Sequence, residues 1–510
     1  MRVTSPDAHR GRNKRMNLFS RGISQSELIM EQSEKSRILL VYPPITKLER
    51  YSSAIGGSGG RQIPLGVFYL ASYVRTHGFE VDVLDAEARN LSYDEIIDRL
   101  RRGGFGILGI STTTVAFHRA LELAARTKAA MPETIIVIGG PHVSSQPAHP
   151  MQFDVFDFAV RNEGEQTLVE LMQAIDGDGD FEKIPGLIFR KGRNVVVNEK
   201  RPYIADIDTL PFPAYDLIPD LRHYAPPPCN YKKAPVVNII TSRGCPNQCA
   251  FCDNNTFGRK TRKRSAANIV GEIELLVTHY GAKEIAFVDD TFTINPKSIY
   301  ELFDLVRSKG MHFPWTCMAR INTVDEDLLR YMKENGCWHV SFGIESGDDR
   351  ILKLIRKDIK IRDVERVVEI CHKMGIVSTG FFIIGHLSET VQTIDKTTAL
   401  AMRLKLDDVV VTINTPIPGS YQYEHAKEFG VLDESSWSKF NCWNPVFIPN
   451  GLTEDILLAK HKEFYRKFYL RPRILWRYFL SFFSRTGPRR FVSLLMASRF
   501  LLSNRGCRSG

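Results

Sequence analysis

Three cysteines carry the sharpest chemical signature: Cys245, Cys249 and Cys252, spaced C-x3-C-x2-C in the stretch RGCPNQCAFC. Thiolates are the ligands that iron–sulfur clusters require, and three on one glycine-containing loop can wrap a single cuboidal cluster. Four irons held by three thiolates leave one iron open, much as a catalytic zinc keeps an unfilled position. A structural zinc site is the competing reading. It needs a fourth ligand, for which Cys229 and His279 are candidates, whereas zinc sites usually present two separated ligand pairs. Cys317, Cys337, Cys371 and Cys442 read as small buried hydrophobes.

Polar residues recur downstream, each behind a short apolar run: Asp289 and Asp290 in FVDDTF, Arg320 and Asn322 in ARINT, Glu345 in GIESG, Gly385 and Glu389 in GFFIIGHLSE. Charges at buried strand ends need partners, and a zwitterionic ligand can provide them. Singly, each reads equally well as an ion pair or a turn glycine; the ordered set is what points to a site.

The elements that position these groups alternate. Strands are predicted near 236–241, 284–288, 315–319, 339–343, 377–384 and 408–414, with helices near 266–280, 299–308, 325–335 and 361–373. Six such units make a partial (β/α)6 TIM-type barrel with its site at the carboxyl ends of the strands. Ahead of it, strands near 37–44, 80–85, 105–111, 134–139 and 157–160 alternate with helices near 65–77, 93–102, 115–131 and 165–175. Continuous apolar strands in that alternation predict an α/β doubly wound, Rossmann-like parallel sheet. The chain then divides into an arm (1–36), the doubly wound domain (37–180), a hairpin and proline-rich linker (181–232), the barrel (233–430) and a helical basic C-terminal region (431–510).

The cysteine loop, with Phe251 just before its last cysteine and a strand just before its first, resembles the radical S-adenosylmethionine signature. That resemblance implies a [4Fe-4S] cluster on Cys245, Cys249 and Cys252. Its open iron chelates S-adenosylmethionine, whose reductive cleavage gives a 5′-deoxyadenosyl radical. It also makes Asp289, Arg320, Glu345 and Gly385 candidate S-adenosylmethionine contacts, and implies a reducing partner such as flavodoxin or ferredoxin. The preceding domain resembles the cobalamin-binding domain of the same superfamily through RILLVYPP, the Gly-rich IGGSGG with PLG behind it, STTT and GGPH. Candidate cobalamin contacts are accordingly Gly57, Pro64, Gly66, Ser111, Thr112, Gly139, Gly140 and His142. One departure matters. Many cobalamin proteins ligate cobalt through a D-x-H-x-x-G histidine, and the matching stretch here, DAEARN at 85–90, has neither histidine nor glycine. No histidine from that motif is expected on cobalt; His142 reads rather as a turn residue.

Charge narrows the remainder. Residues 461–510 hold twelve Lys/Arg against Glu463 alone, so this segment carries +11 of a net +10 and the rest of the chain is near neutral. Its apolar runs are too short to span a bilayer, and basic aromatic helices of this kind lie on anionic membrane surfaces or pack on a barrel. No nucleic-acid recognition motif is present. The Arg-rich start lacks an apolar signal core, which favours a cytoplasmic location, peripheral at the inner membrane face if the tail engages lipid. The function expected is methylation of an unactivated carbon on a small-molecule or lipid-like substrate. The alternatives are a cobalamin-dependent radical cyclase or rearrangement enzyme, like the anaerobic magnesium-protoporphyrin ester cyclase group, and a non-catalytic cobalamin or redox sensor.

Overall fold

The computed structural model describes residues 37–55, 59–177, 179–227 and 230–482. The arm 1–36, Gly57, Cys229 and the tail beyond 482 lie outside them.

Buried β-branched and leucine runs make the strands of a first sheet: β1 (Arg37–Tyr42), β2 (Glu80–Asp85), β3 (Ile107–Ser111), β4 (Ile135–Gly139) and β5 (Phe158–Val160). They pair in parallel in the order β2-β1-β3-β4-β5, the doubly wound arrangement whose order reverses between β1 and β3. Helices cover both faces, so no strand shows an inside–outside alternation. The hairpin β6 (Leu187–Lys191) and β7 (Asn194–Val197) pairs antiparallel with β5 and extends the sheet to seven strands. A helix at Lys47–Ile55, a stretch to which the sequence pattern assigned no element, is fixed by Glu49. That residue accepts from the Thr46 amide at 2.8 Å and binds His118 and Arg119.

The second sheet holds β8 (Val236–Ile239), β11 (Glu284–Phe287), β12 (Trp315–Ala319), β13 (Cys337–Glu345), β14 (Val377–Ile384) and β15 (Asp408–Ile413), all parallel and in chain order. Between β8 and β11 lies a two-stranded ribbon, β9 (Ser242–Arg243) with β10 (Arg262–Lys263). The arc stays open, with β8 and β15 as its edges. The helix Glu454–Tyr469 closes the β15 edge. Tyr465 Oη accepts from the Val411 amide at 2.9 Å and donates to its carbonyl at 3.0 Å, and Phe464 and Phe468 are fully buried beneath it. Residues 461–469 of the basic tail thus belong to the barrel's wall. The next helix, Pro472–Phe482, turns Arg473 and Arg477 inward to Asp407 while Trp476 (61 % exposed) and Phe479 (55 %) face out.

Candidate active site between the two sheets

The ribbon β9–β10 is the neck of the cysteine loop. Gly244 sits there at φ +87°, and a Cβ on it would stand 2.5 Å from the Lys260 carbonyl oxygen, so the loop closes only over glycine. Cys249 is buried, Cys245 half-buried and Cys252 exposed. The Cys252 thiol hydrogen-bonds Cys249, and Lys357 and Arg320 add positive charge; together they bring the Cys249 thiol down to about 6. Sharing that interaction pushes Cys252 the other way. Arg320 donates from Nη1 to Cys249 Sγ at 3.1 Å and from Nη2 to the Lys357 carbonyl. Cys245 Sγ accepts from Asn247 at 3.1 Å. Among the described residues no three His, Cys, Asp or Glu side chains stand in ready metal-binding geometry. The positive charge of Arg320 and Lys357 at Cys249 nonetheless suits a cluster that needs deprotonated sulfur.

The other predicted residues divide. Glu345 sits at the end of β13 with φ +67°, a strained conformation for a non-glycine residue and one that clusters at functional sites, and receives Lys357 Nζ at 2.7 Å. Gly385, at φ +86° after β14, donates its amide to Glu389 at 2.6 Å. Burial raises Glu389 to about 7 against the hydrogen bonds it accepts. Asp289 is committed elsewhere: it accepts from Thr241 Oγ1 at 2.8 Å and Ser242 Oγ at 2.6 Å, fixing the approach to the loop. The chain also brings in residues the sequence reading did not select. Lys357 is buried, with its ammonium on Glu345. His386 is fully buried with Nδ1 3.2 Å from Gln422, its ring 5.9 Å from Phe251. His386 Nε2, Gln422 Oε1, Asn414 Nδ2 and Arg320 Nε are buried without hydrogen-bond partners. Buried polar atoms left open in one region call for a polar ligand, and S-adenosylmethionine fits that demand.

At the reversal point of the first sheet lies a cavity of about 410 Å³ whose lining includes Pro64, Gly66, Ser111, Thr112, Gly139 and Gly140. Arg243, Thr256 and Phe257 from the cysteine loop and its neck complete its wall. Gly140 sits at φ +98°, and a Cβ on it would stand 2.7 Å from the Thr112 carbonyl oxygen, so the turn after β4 packs this closely only over glycine. An apolar-walled crevice edged by glycines and hydroxyls suits a large flat cofactor such as cobalamin. His142 stands behind this wall rather than on it, bonded to Thr114 Oγ1 (3.2 Å) and His149 (2.9 Å) and held by burial at a pKa of about 3. Asp85 caps its own helix through the Ala88 amide at 2.9 Å. No His, Cys or Met lines the cavity among the described residues.

A cobalamin-type domain followed by an open barrel with a three-cysteine loop defines a cobalamin-binding radical S-adenosylmethionine enzyme. The B12 binding domain family model matches residues 52–172 and the radical SAM superfamily model residues 239–401. An uncharacterized methyltransferase of Pyrococcus horikoshii is 35 % identical over 441 residues, covering 86 % of this chain and 94 % of that protein. An anaerobic magnesium-protoporphyrin IX monomethyl ester cyclase of Cereibacter sphaeroides is 26 % identical over 453 residues, covering 86 % and 72 %. The methyltransferase TsrM of Kitasatospora setae, solved with tryptophan and an S-adenosylmethionine analogue, shares the fold with TM-score 0.67 at 17 % identity, covering 91 % and 97 %. The chain belongs to the cobalamin-dependent radical S-adenosylmethionine family of these methyltransferases, with a [4Fe-4S] cluster, S-adenosylmethionine and cobalamin as its cofactors.

Proposed function

We propose that the enzyme methylates an unactivated carbon of a small-molecule or lipid-like substrate bound between the cysteine loop and the N-terminal cavity. The observation that carries this is the shared wall: Arg243, Thr256 and Phe257 line the cavity from the cysteine-loop side. When bound, the cluster supplies the electron that cleaves S-adenosylmethionine and cobalamin carries the methyl group. The chain's own residues hold and orient. Cys245, Cys249 and Cys252 bind the cluster, with Arg320 steadying Cys249. Glu345 with Lys357, and the open polar atoms of His386, Gln422 and Asn414, receive S-adenosylmethionine beside Gly385. Asp289 acts at one remove, by fixing Thr241 and Ser242. Pro64, Gly66, Ser111, Thr112, Gly139 and Gly140 would cradle the corrin, in a cavity that no imidazole lines among the described residues.

Enzyme purified anaerobically should give a cobalamin EPR signal without axial nitrogen splitting and, on dithionite reduction, a cluster signal. Methyl-deuterated S-adenosylmethionine should then label the product; unlabelled product would end the methyl-transfer reading. The cyclase relative motivates the second reading, and product mass separates the two, because cyclisation adds no methyl group.

The electron donor in this proposal is a flavodoxin- or ferredoxin-type protein. No helix among the described residues is long and apolar enough to cross a membrane. The outward Trp476 and Phe479, with the acid-free basic segment after Glu463, support a peripheral contact with anionic lipid. Co-sedimentation with anionic liposomes that survives deletion of residues 472–510 would remove that contact from the proposal.

A further inference from the structure

All three cysteines lie between Arg243 and Arg262, the paired residues of the β9–β10 ribbon. Both arginines reach the same carboxylate on the first domain. Glu163 accepts from Arg243 Nη1 at 2.9 Å and from Arg262 Nη1 at 2.9 and 2.8 Å, and also from the Ile204 amide at 2.8 Å. Glu165 accepts from Arg243 Nη2 at 2.7 Å. The four side chains are 3–6 % exposed. Aromatic faces complete their surroundings: the Arg243 guanidinium lies 5.1 Å from the rings of Tyr69 and Phe257, and that of Arg262 lies 5.1 Å from Tyr203. Ser145, Asn162 and Tyr203 tie the loop's far side through Asp253 and the Asn255 carbonyl.

Stability does not account for this arrangement. Desolvating four charges is costly, and buried ion clusters roughly break even against apolar groups of the same volume. Position is what they secure. One carboxylate sets where both ends of the cysteine loop sit on the first domain. Glu163, Glu165, Arg243 and Phe257 also line the N-terminal cavity, so an occupant of that cavity and the loop bear on the same groups.

We propose that Glu163, with Glu165, Arg243 and Arg262, is a positioning clamp that couples filling of the N-terminal cavity to ordering of the cysteine loop. The proposal rests on the reading of that cavity as the cobalamin seat. The coupling is reciprocal: cobalamin holds the loop closed, and the assembled loop tightens cobalamin.

The test is hydrogen exchange across residues 244–261 of the full chain, with its cluster reconstituted, with and without hydroxocobalamin. It is repeated for Glu163→Gln, which keeps the shape and removes the charge. Cobalamin should slow exchange in the parent about tenfold. In the variant the slowing should fall below about twofold while cobalamin is still retained on desalting. The pulsed-EPR distance distribution between cobalt and the reduced cluster should broaden in the variant, a change that a merely structural residue would not produce in a chain that melts normally. Arg262→Lys keeps the charge and loses the fork, and decides the matter by the same measurements if Glu163→Gln does not fold. Equal protection in parent and variants overturns the clamp. Cobalamin binding without protection in the parent overturns the clamp alone; absence of binding overturns the cavity reading and the clamp with it.

Discussion

Arg320 Nη1 lies 3.1 Å from the Cys249 sulfur, and its Nη2 holds the Lys357 carbonyl, so one guanidinium joins a proposed cluster ligand to the residue whose ammonium pairs with Glu345. Replacing it with glutamine removes a charge that stabilises the thiolate. We expect Arg320→Gln to lower 5′-deoxyadenosine release by about 10–100-fold, the usual cost of losing an outer partner of a metal ligand. Cys249→Ala should abolish it while leaving the thermal transition in place, and unchanged release from either variant would separate these residues from the cluster. The cysteine trio was legible in sequence because its spacing is local. Lys357, His386 and Gln422 were not: each comes from a different element, and only the fold aims them at Phe251 and Cys249. Glu165 read as the start of an ordinary helix and Glu163 was not singled out, since their arginines lie 78 to 99 residues further on.

The elements whose signals are periodic were readable almost to the residue, as at Glu80–Asp85, Tyr93–Arg102, Trp315–Ala319 and Val377–Ile384. Those fixed by distant pairing were not. The addition of β6 and β7 to the first sheet depends on an antiparallel contact with β5 that no local pattern announces. The turn after β4 makes a firm prediction at this scale. A methyl group on Gly140 would stand 2.7 Å from the Thr112 carbonyl oxygen and 2.8 Å from its amide nitrogen, in a backbone conformation L-residues rarely adopt. Gly140→Ala should cost about 1–3 kcal/mol. It should also push the turn off the cavity wall, so that cobalamin absorbance is lost on desalting; full retention would mean that the turn does not bound the cofactor.

Over the whole molecule, stability should depend on pH through buried imidazoles. His461 packs under β15 with Nε2 2.9 Å from the Val411 carbonyl oxygen, and burial brings it down from 6.5 to about 4. The unfolded chain therefore binds this proton first. Its contribution is whole above pH 6.5 and is lost as pH falls from 6.5 through 4, by up to about 1.4 kcal/mol per pH unit. Glu389, raised to about 7, slopes the opposite way, so the parent's curve mixes signs. Comparison with His461→Gln at each pH isolates the term. Urea midpoints of the two chains should converge between pH 6.5 and 4, and a constant gap would refute it.

The clamp also has a consequence in time. Synthesis runs from the N-terminus, so the first sheet and its hairpin, complete by Val197, are made before the ribosome reaches Arg243 and Arg262. Until then Glu163 and Glu165 are anions shaped for a dry interior with no cation to meet them. The young domain must keep that face wet, and it can bury the two carboxylates only once the neck of the cysteine loop has emerged. A chain truncated at 204 should accordingly be looser than its core predicts, and tighten when a 233–482 fragment is added in trans.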